Sequence, residues 1–276
     1  MRVSYNGGRI GVTFDLWETL IFDKPEKDEE RGRMRCQGIR DALDTLGIFM
    51  SIDDVKRGYD LSASQMQNVW DRNREVETFE QIRLILKLGG LPTGKIPTDL
   101  TAVRKLITAY VAPVLKLPPP LGEDVVDALE GVRALGAKIG LISNTGRAPG
   151  RILRDMLQTY GILKYFDVTT FSNEVGYRKP DQRIFEETIT KLGVTPSRVL
   201  HVGDNPETDF DGAMNAGMKA ALYEPKLQDV SEWRPDSLFT ISRRRKYPSV
   251  KIIDPDLRIS ALGSVSSLVR RIINPD

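Results

Sequence analysis

The 276 residues predict an α/β fold, a doubly wound parallel sheet carrying a smaller all-helical cap domain inserted after the first strand. Three observations carry this reading. From residue 121 onward, short β-branched runs alternate with stretches of helical spacing, the pattern of parallel strands joined by right-handed crossovers. Residues 24–117 show helical spacing in four blocks with no strand pattern among them. Ahead of that block stands one apolar run, residues 10–14, that reads as a buried parallel strand and ends on Asp15.

Taken in order, the opening strand fixes the first candidate site residue. A carboxylate costs several kcal/mol to desolvate without a partner, so Asp15 belongs at the strand's carboxyl edge, facing a crevice. Glu18 and Thr19 follow, then a second short apolar run at 20–22. In the helical block, Ile39, Leu43 and Leu46 share a face before Gly47 as a stop. Val55, Tyr59, Met66 and Val69 mark a second helix, with Ser51 and Asp53 as capping candidates. Ile82, Ile85 and Leu86 mark a third that ends at Gly89 and Gly90, and Val103, Leu106, Ile107, Tyr110 and Val114 mark a fourth. Three consecutive prolines at 118–120 then prevent helix continuation and form a stiff hinge. The chain thus divides into an α/β core, residues 1–23 and 118–276, and a helical insertion, residues 24–117, either a lid or a second packed lobe.

Beyond the hinge, Val125, Val126, Leu129 and Val132 predict a helix before the strand AKIGLIS. Ile152, Leu153, Met156 and Tyr160 predict another before DVTTFS, and Ile184, Phe185, Thr188, Ile189 and Leu192 a third before VLHVGD. A short helix at 213–216 leads to KAALY. The run Arg243, Arg244, Arg245 and Lys246 reads as a solvated loop, and Leu262, Val265, Leu268 and Ile272 predict a terminal helix packed back on the sheet.

Composition excludes several classes of function. A net charge of +2 argues against nucleic acid as a partner. Cys36 is the only cysteine, which rules out an internal disulfide and a cysteine zinc cluster, and His201 is the only histidine, which rules out a multi-histidine metal site. No segment approaches the ~20 apolar residues of a membrane span, and the first residues lack the apolar run of a signal peptide. The expectation is a cytoplasmic monomer or homodimer.

Each predicted strand ends in polar groups that can meet Asp15. The second runs into Ser143, Asn144 and Thr145; after the third come Arg178, Lys179, Pro180 and Asp181; the fourth leads into GDNPETD with Asp204 and Asp209. One hydroxyl, one ammonium and three carboxylates then converge at one sheet edge, where such folds bind ligands. Carboxylates at that density repel, so a cation is expected among them, and Mg²⁺ suits aspartates supplemented by backbone oxygen and water.

The stretches FDLWETL, LISNTG, the RKP around Lys179 and HVGDNPETD, in that order, resemble the four motifs of the haloacid dehalogenase superfamily, over nearly the whole chain from residue 10 to 269. The resemblance implies a Mg²⁺-dependent hydrolase in which Asp15 is the nucleophile and forms a covalent aspartyl intermediate. It implies that Ser143 holds the transferring group, that Lys179 neutralises it together with Asp15, and that Leu16, Trp17, Asn144 and Thr145 border the substrate. Asp15, Asp204 and the Trp17 carbonyl would ligate the metal, with Asp209 orienting or completing that set. One position departs from the family's phosphatases, which carry an acid/base aspartate where Trp17 stands. An indole has one N–H donor and cannot shuttle a proton. Family dehalogenases have an aromatic residue there and an asparagine where Asn144 stands, but generally lack the acidic fourth motif. Three readings follow: a phosphatase of a small phosphorylated metabolite, a 2-haloacid dehalogenase, and a non-catalytic binding protein. Glu18 is a weaker substitute for the missing acid, since its neighbouring position points it differently along the chain. His201, inside an apolar strand, reads as a core residue, and Cys36 as a structural thiol.

Overall fold

Strand β1 (Gly11–Phe14) is buried at every residue, and both of its neighbours pair with it in parallel. A strand can be apolar on both faces only where helices cover both faces, so β1 sits at the centre of the sheet. The computed structural model describes residues 9–224 and 257–273. Within them six parallel strands run in the order β3-β2-β1-β4-β5-β6, where β2 is Lys138–Ser143, β3 Val168–Phe171, β4 Val199–Gly203, β5 Lys219–Tyr223 and β6 Arg258–Ile259. The order changes direction at β1. This is the switch point at which open α/β sheets leave a crevice beyond their carboxyl ends.

Helices α5 (Val125–Ala134), α6 (Gly150–Thr159), α7 (Ser172–Val175), α8 (Gln182–Leu192), α9 (Gly212–Asn215) and α10 (Val265–Ile273) accompany the sheet. Helix α8 packs on β2 and β3, and α10 packs on α5 and against β4, as the spacing of the tail predicts. The stretch of basic residues at 243–246 lies outside the described residues, as does the side chain of Ile272. Besides four 3-10 turns, periodicity does not predict three elements among the described residues: the two-residue strand β6, the α7 turn, and a single π-helical turn over Pro206–Asp211. All three are too short to show a period.

Between β1 and α5 lie four longer helices, α1 (Pro25–Asp44), α2 (Ile52–Trp70), α3 (Thr78–Leu88) and α4 (Leu100–Lys116), packed α1 on α4 and α2 on α3. Ser51 is the N-cap of α2, its hydroxyl accepting from the Asp54 N–H at 3.1 Å; Asp53 lies inside the first turn, where its charge favours the helix dipole. Leu46 falls outside α1, which ends two residues earlier at Asp44. One apolar cluster joins Val12, Phe14 and Leu141 of the sheet to Ile39, Leu106 and Tyr110 of the four helices, so the insertion shares a core with the sheet.

Helices α2 and α3 approach closely at Gly58, where an added Cβ would stand 2.0 Å from the Ile85 carbonyl oxygen. Gly58→Ala must therefore push the two helices apart. The expected cost is about 1–3 kcal/mol, the usual range for overpacking, partly offset by the better helix propensity of alanine. Thermal unfolding checks this; a melting temperature at or above that of the unaltered protein would mean that the helices separate freely.

Candidate active site

The backbone N–H of Asp15 donates to the Val202 carbonyl at 2.9 Å, which extends the β1–β4 ladder by one residue and fixes the carboxylate at the sheet edge. The chain then turns back on itself. Leu20 and Ile21 both donate to the Leu16 carbonyl, and Glu18 donates to Ile21 at 2.7 Å. The turn forces Glu18 to φ +60°, a left-handed conformation that costs a non-glycine residue about 1–3 kcal/mol. Its side chain is buried, with Oε1 accepting from the Asp23 N–H at 3.2 Å.

Lys179 is the centre of the site. Its Nζ lies 2.5 Å from Asp15 Oδ1 and 2.5 Å from Asp209 Oδ1, and donates to the Ile142 carbonyl at 2.8 Å. Its backbone is clamped by Asn144, whose Oδ1 accepts from the Lys179 N–H at 2.7 Å while Nδ2 donates to the Lys179 carbonyl at 3.0 Å. Asn144, expected beside the substrate, thus spends both ends of its amide on positioning the lysine.

Asp209 is held from three sides. Besides Lys179, the Asn205 N–H donates to its Oδ2 at 3.0 Å, and His201 Nε2 lies 3.2 Å from Oδ1. Burial lowers the His201 pKa, so the ring is neutral near pH 7. A neutral ring facing a carboxylate carries its proton on Nε2, and Nδ1 accepts from the Thr13 hydroxyl at 2.8 Å. The histidine is buried, as its place in an apolar strand predicts, yet it also orients an acid of the site, a contact that periodicity does not reveal. Gly203 makes room for this arrangement, since a Cβ there would stand 2.4 Å from Asp209 Cγ.

Carboxylate oxygens of Asp15, Asp204 and Asp209 lie within 4.8 Å of one another. Burial pushes the Asp15 carboxyl up, and Asp209 adds to this while Lys179 opposes it. For Asp209 burial is outweighed by Lys179 and His201, which hold it well below the usual carboxylate range. Three carboxylates meet one ammonium and a neutral imidazole, so the cluster carries excess negative charge. A hard divalent cation with oxygen ligands fits that donor set.

The sequence places the remaining site residues with mixed outcome. Trp17, Asn144 and Thr145 line the same cavity as Asp15, a space of about 1050 Å³ walled on its other side by α1 and α2. Leu16 and Ser143 are fully buried outside that lining; the Ser143 hydroxyl donates to the Asn144 carbonyl at 3.3 Å. Thr145 turns its hydroxyl to Glu75 Oε2 at 3.3 Å and to Ser172. Glu75 follows α2 and is bonded by Arg178 Nη1 at 2.7 Å, and the Arg178 guanidinium lies 4.5 Å from the Trp70 ring centre. Sequence reasoning missed Glu75, because nothing local marks a carboxylate that meets its partner 103 positions away.

Comparison with known proteins follows the same lines. Residues 11–217 match the sequence model of the haloacid dehalogenase-like hydrolases. The chain is 26% identical over 88% of its length to haloacid dehalogenase-like hydrolase domain-containing protein 3 of Mus musculus, covering 94% of that protein. It is 30% identical over 85% of its length to glyceraldehyde 3-phosphate phosphatase of Methanopyrus kandleri, again covering 94% of the relative. Among solved structures, a 2-haloacid dehalogenase from Pseudomonas syringae pv. Tomato DC3000 superposes with a TM-score of 0.61 at 20% identity, covering 96% of this chain and 99% of that one. A HAD phosphatase from Thermococcus onnurineus gives 0.57 at 22%, covering 97% and 99%. At these identities the two structures establish the shared fold.

Gly203→Ala tests whether Asp209 needs its present position. The added methyl must displace the carboxylate, with an expected cost of about 1–3 kcal/mol and a tenfold or greater loss of divalent-cation affinity, each read by unfolding and titration calorimetry. Unchanged affinity in the folded variant would show that the cation does not depend on Asp209.

Proposed function

The chain belongs to the haloacid dehalogenase-like hydrolases, and we propose that within them it is a Mg²⁺-dependent phosphatase of a small phosphorylated metabolite. The observation that carries this reading is the acidic cluster around Lys179. Asp204 and Asp209 beside Asp15 would repel any anionic substrate unless a cation joins them. A dehalogenase gains nothing from that repulsion, whereas phosphoryl transfer uses the cation. The phosphatase names among the relatives support the same choice.

Asp15 attacks the phosphorus, the bond from phosphorus to the ester oxygen breaks, and an aspartyl-phosphate forms. Water then attacks that intermediate, releasing inorganic phosphate and restoring the carboxylate. Lys179 holds Asp15 in its attacking orientation and offers its charge to the transferring oxygens. Ser143, behind the cavity wall and held only by a long 3.3 Å bond to the Asn144 carbonyl, turns its hydroxyl to the phosphoryl group once that wall gives way to substrate. Asp15, Asp204, the Trp17 carbonyl and Asp209, directly or by orienting the others, hold Mg²⁺, which when bound neutralises charge on the phosphoryl oxygens. The helical insertion, residues 24–117, serves as the cap that closes the cavity. Trp17 supplies no proton to the departing oxygen, so substrates whose leaving groups are weak bases are favoured.

Asp15→Asn is expected to lower phosphate release by about 10⁴-fold or more, through loss of the nucleophile and of a charged metal ligand. Phosphate release and chloride release from 2-haloacids are measured side by side, with and without Mg²⁺. Chloride release that persists in EDTA and survives Asp204→Ala would overturn the phosphatase reading.

Trp17→Asp restores a carboxyl group where the acid is missing. The gain in kcat/KM should be larger for alkyl than for aryl phosphates, within the ~10²–10⁴-fold range of general acid catalysis. An unchanged alkyl-to-aryl ratio in a folded variant would show that proton donation at this position does not limit the rate.

A further inference from the structure

The cavity that holds Asp15 and Lys179 is also lined by four arginines with almost no exposed surface, and their partners divide them into two kinds. Arg31 is paired with Asp23 and with Asp28, and Arg178 with Glu75. Among the described residues Arg35 and Arg147 hydrogen-bond only to neutral groups, with the Asp28 carboxylate acting on Arg147 from farther away. Arg147, 8% exposed, donates to the Tyr110 hydroxyl at 2.9 Å, to Ser62 Oγ at 3.1 Å and to the Tyr59 carbonyl at 3.2 Å. Its guanidinium lies 3.8 Å from the centre of the Tyr59 ring. Arg35, 4% exposed, donates to the Tyr110 carbonyl at 3.2 Å and the Tyr59 hydroxyl at 3.4 Å.

A guanidinium does not lose its proton at any ordinary pH, so burial cannot neutralise these two. Ring contacts and carbonyls recover part of the lost hydration, and less of it than a carboxylate would. No nearby acid of the ordinary kind fills the gap by ionising. Burial pushes the Cys36 thiol up to about 11 and raises the Tyr110 phenol, so both remain neutral. Of the carboxylates lining the same space, Asp28 pairs with Arg31 at 3.5 Å and reaches Arg147 only at longer range.

Resting on the phosphatase reading of Asp15, we infer that Arg147 and Arg35 form a subsite for a second anionic group of the substrate, a carboxylate or a second phosphate, apart from the phosphoryl group that is transferred. Of its five N–H donors Arg147 keeps the one on Nε and one on Nη1 outside these bonds, and Arg35 keeps Nη2 and one on Nη1, donors that suit either oxyanion. Arg147 stands four positions beyond Ser143 on the loop that follows β2, and Arg35 comes from α1, so the subsite spans the core and the helical insertion. The preferred substrate class is a phosphorylated acid or a bisphosphate of metabolite size, which the cavity of about 1050 Å³ accommodates.

The test compares pairs of phosphate esters that differ in the second group: glycerol 1-phosphate against 3-phosphoglycerate for a carboxylate, and fructose 6-phosphate against fructose 1,6-bisphosphate for a phosphate. The ratio of kcat/KM within each pair, measured on one preparation at saturating Mg²⁺, does not depend on the active fraction. The unaltered protein should favour the doubly anionic member of at least one pair by about 10- to 100-fold, the worth of a charge-assisted hydrogen bond. Which pair shows it separates carboxylate from phosphate. Arg147→Gln and, independently, Arg35→Gln should collapse that ratio mainly through KM, and Arg147→Lys should restore part of it. A merely structural arginine would lower both members of a pair alike. A ratio near one in the unaltered protein, or one untouched by both glutamine variants, would overturn the subsite. Calorimetric binding of malonate and of methylenebisphosphonate to the Asp15→Asn protein decides the case if no ester is hydrolysed. Arg147-dependent binding there would keep the subsite and discard the phosphatase reading; binding that Arg147→Gln leaves unchanged, or no binding of either probe, would discard the subsite.

Discussion

One ammonium shared by two carboxylates governs the geometry of this protein. Asp15 ends β1 and Asp209 follows β4, and strand pairing brings the two acids to one edge. Two buried carboxylates at that separation cannot both ionise without a positive charge between them. Lys179 supplies it, reaching from the segment after β3 past the end of β2, where the Ile142 carbonyl takes its third hydrogen bond. The sheet order, with β1 between β2 and β4, makes this reach possible. Moving the lysine by an ångström would leave one acid unpaired in the interior, which is why its backbone is tied at both N–H and carbonyl by Asn144.

Support for Asp209 comes from deeper in the sheet. Thr13 and His201 are register partners on adjacent parallel strands, and their side chains hydrogen-bond on the helix-covered face. The imidazole passes that constraint on to Asp209 and packs edge-on against Phe185, 5.4 Å between ring centres. A fixed tautomer follows from this chain of contacts: hydroxyl to Nδ1, Nε2 to carboxylate. The single histidine of the sequence therefore belongs to the core and to the site at once.

What was legible in the sequence follows from how chemistry is distributed along it. Asp15, Ser143, Lys179, Asp204 and Asp209 could be found because each stands just past, or near, the end of an apolar run, and strand ends on one edge converge. Side-chain direction was not legible. Asn144 reads as a substrate contact, and besides lining the cavity it holds the lysine, a role its residue type does not announce; Ser51 and Asp53 are equally good caps by residue type, and only the helix start separates them. Glu75, Arg35 and Arg147 look like ordinary solvated charges in a charge-rich stretch or loop. Their surroundings arise from packing between parts of the chain 24 to 103 residues apart, which no local pattern encodes.

The loop after β2 shows how core and helical insertion are tied. Asn144 binds Lys179; Thr145 binds Glu75; the Gly146 carbonyl accepts from Gln81 of α3 at 3.1 Å; Arg147 binds Tyr59, Ser62 and Tyr110 of α2 and α4. Asn144 is committed to the sheet edge, Thr145 to both sides through Ser172 and Glu75, and Gly146 and Arg147 to the insertion. The same few residues thus set the position of the buried ammonium and the seat of the helices above it. A rigid-body shift of the insertion away from the sheet must break the contacts of Thr145, Gly146 and Arg147 or carry the loop along, and carrying it pulls on Asn144. Four consecutive residues are thus bonded both to the lysine that pairs with Asp15 and to the helices that wall the cavity.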